Sequence, residues 1–192
     1  MASSPPVSPR PPMTTEIERR FCVISDAWRI AASPGRILRQ GYLAQTGVAT
    51  VRVRREEHSA FLSVKSARCG IVREEFTAPL SVTDADFMLE RLCRGVVLTK
   101  VRHEVKYSGQ LWQIDVFGEG AEGLVIAEVE LERPDQAIPL PPWVGKEVTK
   151  SRRYRNSEIA RRCARRQAGD RPSGSESETG FRGELMAGPG TS

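Results

Sequence analysis

The chain is poor in aromatic residues, which make up 6% of its 192 positions, and has only two histidines, His58 and His103. Its four cysteines, Cys22, Cys69, Cys93 and Cys163, lie far apart. No spacing among them and the histidines resembles a zinc site, so reduced thiols and a cytoplasmic setting are expected. No run approaches the roughly 20 consecutive apolar residues of a membrane helix. The N-terminal MASSPPVSPRPP has neither an apolar h-region nor an amphipathic Arg/Ser pattern. These absences argue against a secreted or membrane-bound protein. The main body also lacks an excess of one charge. Net charge is +5, but nine basic residues and only two acids fall between Lys150 and Arg171, leaving 20 basic against 22 acidic residues elsewhere. The basic character therefore belongs to one C-terminal segment, and a nucleic-acid partner is not favoured by the global charge.

What is present reads as one domain with two tails. Residues 1–13 are rich in Pro and Ser, and 168–192 in Gly, Ser and charge; both segments are expected to be disordered. Residues 14–167 are expected to fold. A helix is predicted from Asp84 to Arg94, with Thr83 as N-cap, Phe87, Met88 and Leu92 as its apolar residues, and Gly95 as its stop. A second is predicted from Ser157 to Arg166, and an irregular stretch from Trp28 to Arg36 contains the breaker Ser33-Pro34-Gly35. Most of the rest reads as short strands with no internal repeat.

The strands carry the information. In Glu16-Ile17-Glu18-Arg19-Arg20-Phe21-Cys22-Val23 the even positions hold Glu16, Glu18 and Arg20, and the odd ones Ile17, Phe21 and Val23. Successive strand side chains point to opposite faces, so this segment has a charged and an apolar face. The pattern recurs with Arg52 and Arg54 against Val51 and Val53, Lys65 against Val64, and Arg73 and Glu75 against Val72 and Phe76. It recurs again with Lys100 and Arg102 against Leu98 or Val101, and with Glu128 and Glu130 against Ala127, Val129 and Leu131. For a single strand, charges facing water explain this. As a set the charges are sorted by sign, which solvated faces seldom are. Arg-x-Arg suits neighbouring groups of an extended anion, and Glu-x-Glu suits a divalent cation. A barrel of about eight strands would enclose both sets if helices covered its apolar outside.

These residues resemble a known family, the triphosphate tunnel metalloenzymes or CYTH proteins. Its Glu-x-Glu-x-Lys hallmark is matched by Glu16 to Arg20. Further matches, in order, are LRQGYL (38–43), VRVRR (51–55), the lysine of LSVKS (Lys65), KVR (100–102), WQIDVF (112–117), LVIAEVEL (124–131), and PPWVGKEVT with RRYRN (141–156). The resemblance implies a mainly β (α+β) fold, an eight-stranded antiparallel β-barrel tunnel with a few flanking helices. It also implies hydrolysis of a small-molecule triphosphate with Mg²⁺ or Mn²⁺. It places Glu16, Glu18, Glu128 and Glu130 on the metal-binding side and Arg20, Arg52, Arg54, Lys65, Arg73, Lys100 and Arg102 on the phosphates. Tyr42 and Lys65 match a pair used in hydrolysis. Tyr107 and Asp115 have counterparts without an assigned role.

Three departures stand out. Arg20 replaces the hallmark lysine, Thr77 stands where a second glutamate is common, and Thr149-Lys150-Ser151 replaces an often acidic stretch. Inorganic triphosphate is the favoured substrate because no nucleobase or thiamine platform is recognisable. The alternatives are adenylyl cyclase, thiamine or nucleoside triphosphatase, and a non-catalytic binder of polyphosphate or nucleic acid. Oligomeric state is open. The GxGxxG of residues 118–123 is expected to be a flexible hairpin, because a strand-like segment follows it and it carries two carboxylates. His103 has the parity of an outer-face residue, Trp112 and Trp143 read as packing or rim aromatics, and the Lys150–Arg171 run reads as a solvated helix and tail.

Overall fold

A computed structural model describes residues 13–93 and 95–169. The tails expected at 1–13 and 168–192 lie outside the described residues, save for Met13, Ala168 and Gly169. The order of elements is β1 (Thr14–Val23), a 3₁₀ turn (Asp26–Ala31), β2 (Arg36–Gln45), β3 (Ala49–Arg55), β4 (Ala60–Ser66), β5 (Val72–Leu80) and α1 (Val82–Arg91). Then follow β6 (Leu98–Tyr107), β7 (Gln110–Phe117), β8 (Val125–Glu130), β9 (Val144–Glu147), a second 3₁₀ turn (Arg152–Tyr154) and α2 (Asn156–Gln167).

The strands run in the spatial order β5-β4-β3-β2-β6-β7-β8-β1-β9, and a further pairing of β5 with β1 closes eight of them into a ring. All the pairings are antiparallel. One edge of β1 is divided: Thr14 to Ile17 pair with β5, and Phe21 to Val23 pair with β9. Tight turns carry their own instructions. Ser108 and Gly109, between β6 and β7, both have positive φ, which the right-handed twist of a two-residue hairpin requires. Residues 118–123 join β7 to β8, as the hairpin reading expected, with Gly120 and Gly123 at positive φ.

Alternation in the strands separates three apolar clusters from a charged interior. Outside β1, β6, β7 and β8, Phe21, Val105, Trp112, Ile114 and Val129 pack with Trp28 and Trp143. Both Trp112 and Trp143 are thus core residues, and His103 lies on this outer side, 5.1 Å from the Trp28 ring, as its parity required. Outside β3 and β4, Val53 and Ala60 meet Ala85 and Leu89 of α1. A Cβ at Gly41 would come within 2.5 Å of Cys93 Sγ, so glycine there lets the segment after α1 lie against β2. The third cluster joins Ile159, Ala160 and Cys163 of α2 to Tyr42, Leu98, Phe117 and Ile126. Those four strand residues have inward parity, so α2 closes one end of the ring. Leu98 therefore faces inward with Lys100 and Arg102, not away from them.

The first helix differs from its expected form. Ser81, not Thr83, is the N-cap: its hydroxyl accepts from Asp84 N at 3.0 Å and donates to Asp84 Oδ2 at 2.7 Å. This reciprocal bonding fixes the helix two residues earlier. The helix buries Ala85 and Leu89 with Met88 packed against the same cluster, as expected of Met88, and leaves Phe87 and Leu92 exposed. Helicity ends at Arg91, before Gly95. No helix among the described residues is long and apolar enough to cross a membrane.

Candidate active site

In an antiparallel ladder, directly opposed residues share a face. The register opposes Glu18 to Glu130 and Arg20 to Glu128 across β1 and β8, and Glu16 to Arg73 across β1 and β5. It opposes Lys65 to Glu75, Arg52 to Tyr42 and Ser63, and Arg102 to Asp115. All these side chains consequently project into the ring. Arg55, on the other parity, reaches outward to Asp86 of α1 at 3.4 Å.

The interior contains two neighbouring cavities that share lining residues. The inner one, of about 270 Å³, is bordered by Glu16, Arg20, Arg52, Arg54, Lys65, Glu75, Thr77, Lys100, Arg102, Gln113, Glu128 and Glu130, with Thr14 and Asn156. The outer one, of about 390 Å³, shares Arg20, Arg52, Lys65 and Asn156 with it and adds Tyr42, Arg68, Arg73, Arg152 and Arg155. Of the twelve residues expected to form the site, every one except Glu18 borders one cavity or both. Glu18 is buried beside them, paired with Arg20 at 2.6 Å and with Arg68.

Ion pairs fix most of the interior. Lys65 Nζ donates to Glu16 at 3.0 Å and to Glu75 at 2.8 Å, and Arg73 holds the other oxygen of Glu16. Burial alone would raise the Glu16 carboxyl, but Arg73 and Lys65 outweigh it and hold it well below the usual carboxylate range. Glu128 lies between Arg20, at 3.0 Å, and Arg102, at 2.7 Å, and against the cost of its burial these cations depress its pKa. Asp115, fully buried, grips Lys100 and Arg102. Burial, opposed by Asp115 and aided by Arg102, pushes Lys100 down to about 8.

Three residues remain less committed. Arg52 contacts Ser63 at 3.2 Å through Nη2, while its buried Nε has no hydrogen-bond partner. Arg54 Nε stands 3.3 Å from Glu56, too poorly aligned to hydrogen-bond, and burial together with the Arg52 charge lowers its pKa to about 10. Glu130 has no ion pair or hydrogen bond among the described residues. Though it is solvent-exposed, partial desolvation and the charges of Glu16 and Glu18 raise its pKa against the opposing charge of Lys65. Tyr42 accepts a hydrogen bond from Gln40 Nε2 at 3.1 Å, and burial pushes its hydroxyl up to about 12 despite Arg52 and Arg20 nearby. Tyr42 and Lys65 line the outer cavity together.

The departures are accommodated. Arg20 uses its planar fork to span Glu18 and Glu128, which one ammonium would reach less well. Thr77 Oγ1 donates to Glu75 at 3.0 Å and lies 2.9 Å from Ser63 Oγ. Thr149 Oγ1 accepts from Arg20 N at 3.0 Å and donates to Glu147 at 2.6 Å.

Several site residues escaped the sequence reading. Gln40 and Gln113 share the parity of the charged positions, which was signal enough. Arg68 belongs to the β4–β5 connection, where no strand period applies. The expectation that the Lys150–Arg171 run is only a solvated helix and tail is corrected in part, since Arg152 and Arg155 line the outer cavity. The turn before α2 brings them there. Arg171 lies outside the described residues.

Among the described residues, no group of three or more His, Cys, Asp or Glu stands ready-made around a metal position. The donor chemistry nevertheless fits a hard cation. Glu130, which makes no ion pair among the described residues, opposes Glu18 across the ladder, and desolvation together with the charges of Glu16 and Glu18 raises its pKa beyond what the Lys65 charge offsets. Glu128, clasped by two arginines, fits that role less well.

Residues 14–163 match the CYTH domain. The chain is 38% identical over 149 residues to an inorganic triphosphatase of Acetivibrio thermocellus, covering 78% of this chain and 95% of that protein. It is 37% identical over 151 residues to the inorganic triphosphatase of Nitrosomonas europaea, covering 76% and 97%. The crystal structure of an inorganic triphosphatase, 34% identical, superimposes with a TM-score of 0.56 over 76% of this chain and 97% of that one. A Hippeastrum protein with a dominant triphosphatase activity, 15% identical, shares the fold at a TM-score of 0.51 over 62% and 80%. With its hallmark strand, its ring of eight strands and these relatives, the chain belongs to the CYTH family.

Proposed function

We propose that the protein is an inorganic triphosphatase that hydrolyses triphosphate to pyrophosphate and phosphate with Mg²⁺ or Mn²⁺. The observation that carries this reading is the inner cavity, where Arg52, Arg54, Lys65, Arg102 and Lys100 face a space that also presents Glu16 and Glu130. The curated relatives named for this activity support it.

Glu16, Glu18 and Glu130 would hold the cation, with Glu128 keeping Arg20 and Arg102 in place. When bound, a divalent cation supplies neutralisation of phosphate charge and a more acidic water. Phosphoryl transfer asks the protein mainly for position and charge. Arg52 and Arg54, each held by only one long ion pair, to Glu75 at 3.7 Å and to Glu56 at 3.3 Å, grip phosphate oxygens, while Arg73 and Lys65 exchange part of their bonding to Glu16 and Glu75 for the substrate. The water oxygen forms a bond to a terminal phosphorus, the bridging P–O bond breaks, and pyrophosphate leaves. Tyr42 is protonated at neutral pH, so it acts as a hydrogen-bond donor rather than a base, and Lys65 beside it neutralises developing charge. The substrate is small and diffusible, and the described cysteines are free thiols, in keeping with the cytoplasm.

Phosphate release from tripolyphosphate and from ATP, each with Mg²⁺ and with Mn²⁺, tests the proposal. Tripolyphosphate is expected to turn over faster, with no cyclic AMP among the ATP products. Abundant cyclic AMP would favour a cyclase; tight binding of tripolyphosphate without turnover would favour a binder.

A further inference from the structure

We propose that a separate cavity, outside the ring, binds a small organic phosphate, with arginines of α2 on its dianionic head and a compact apolar group seated against the helix. This site goes beyond the triphosphatase reading and does not depend on it.

The cavity, of about 220 Å³, lies between the β7–β8 connection, the second 3₁₀ turn and α2. The fold holds two of these walls together. Cys163 Sγ donates to Gly120 O at 3.1 Å, and a Cβ at Gly120 would come within 3.2 Å of the Cys163 side chain, so a glycine at positive φ lets the connection lie against the helix.

The lining has a cationic and an apolar part. Arg162 and Arg166, one helical turn apart on α2, and Arg153 of the 3₁₀ turn all border the cavity. Neither Arg162 nor Arg166 has an ion pair or a side-chain hydrogen bond among the described residues. Arg162 is half-buried, and burial, then repulsion from Arg153 and Arg166, disfavours its charged form. Glu158 opposes this, but it is bonded to Arg161 at 2.5 Å. Glu122 is the one carboxylate in the lining, and its charge is already engaged. Gly120 N donates to it at 2.9 Å, and backbone N–H groups, with the Arg166 charge a lesser cause, hold its pKa low. Three cations against one carboxylate suit a dianion, and guanidinium forks suit phosphate oxygens. Leu124 and Ile159 supply the apolar part, bordered by the Tyr154 ring. The cavity is smaller than those that enclose drug-sized ligands, so the apolar group is no larger than about one aromatic ring.

The turn behind this cavity has the ring on its other side. Arg152 and Arg155 line the outer cavity, and Tyr154 O accepts from Arg20 Nη1 at 3.4 Å. An anion bound behind the turn therefore opposes one in the ring through charge without taking its place.

Calorimetry on the full chain without divalent metal, with phenyl phosphate as the probe, tests the site. One molecule should bind per chain, roughly 10-fold more tightly than inorganic phosphate, the gain from removing a ring from water. Tripolyphosphate should weaken this binding by at most about 5-fold and then reach a ceiling. Arg162→Gln/Arg166→Gln should weaken it roughly 10- to 100-fold with Tm little changed, and lysine at both positions should retain most of it. The proposal is overturned by an absence of binding, by displacement without a ceiling, by an unchanged double variant, or by equal affinity for inorganic phosphate. Tighter, salt-sensitive binding of an oligonucleotide that is lost in the same variant would also overturn it, making these arginines a nucleic-acid face. Phosphate release from tripolyphosphate with Mn²⁺, measured separately, bears on the triphosphatase reading alone.

Discussion

Replacing Arg54 by glutamine should weaken the enzyme and strengthen the fold at once. Arg54 borders the inner cavity, and burial beside Arg52 depresses its pKa to about 10. The folded protein therefore holds this proton less firmly than the unfolded chain does. Below about pH 10 the cation is present in both states and the fold carries the full cost of burying it; the cost fades only as pH rises through that value. The depression corresponds to at most about 3 kcal/mol, and to roughly 1–2 kcal/mol once solvent screening of a side chain 24% exposed is allowed for. For a domain of this size that is a rise of roughly 2–8 °C in Tm. The same change removes a charge-assisted phosphate contact, about 1.5–3 kcal/mol, so kcat/KM for tripolyphosphate should fall roughly 10- to 150-fold. Arg55, one residue on, is the control. It loses only a partly exposed pair with Asp86, worth at most about 1 kcal/mol, and Arg55→Gln should leave turnover within about twofold while lowering Tm slightly. Initial rates and calorimetric melting of both variants decide the matter. Equal losses of turnover at the two positions, or a lower Tm with full activity for Arg54→Gln, would refute the inward register and the cost assigned to it.

Other expectations follow from the same interior. Glu130→Gln removes the carboxylate without an internal cation partner, so Mn²⁺ affinity by calorimetry should fall at least about 10-fold. Glu128→Gln, which loosens Arg20 and Arg102 instead, should cost the ion less; the reverse order would move the metal to Glu128. Tyr42→Phe should lower kcat about 10-fold with little change in KM, and with the hydroxyl at about 12 the wild-type pH profile should show no Tyr42 limb below about pH 10. Because Lys100 loses its proton near pH 8, the lumen loses a cation above that value, and tripolyphosphate KM should rise roughly 3- to 10-fold between pH 7 and 9. Lys100→Met should abolish this dependence, and a KM limb that survives the substitution would assign it to another group.

The ring was legible where the strand period acts on charged residues. Glu16, Glu18 and Arg20 announced an inward face, and the partners that β5 and β8 bring to them, Arg73, Glu130 and Glu128, were found in the same way. Leu98 broke the pattern for a physical reason: it faces inward where α2 replaces water with Ile159, Ala160 and Cys163, so an apolar residue belongs on the charged side. The buried face of α1 was legible in part: Met88 packs against the Val53 and Ala60 cluster as expected, whereas Phe87 and Leu92 were given weight that the close approach of the helix assigns to Ala85 and Leu89. Arg68, Arg152 and Arg155 were beyond a strand-based reading, since connections placed by the whole fold bring them to the cavity.

Two neighbouring rungs between β1 and β8 separate what stabilises this protein from what equips it. Arg20 faces Glu128, an opposite-charge pair with further bonds to Glu18 and Arg102, and such a rung contributes to holding the ring closed. One step along, at the next inward position, Glu18 faces Glu130. Like charges directly opposed weaken a ladder, and here the neighbouring Glu16 adds to the repulsion. Glu18 is relieved by ion pairs with Arg20 and Arg68, whereas Glu130 makes no ion pair among the described residues and the Lys65 charge offsets only part of the repulsion on it. A glutamine at position 130 would remove the repulsion with almost no change in volume, so nothing about the fold calls for a carboxylate there. The residue makes sense under the proposed reading: its cost to the ladder would be recovered if Glu130 and Glu18 held a divalent cation, in a cavity whose other lining residues include Arg52, Arg54 and Lys65.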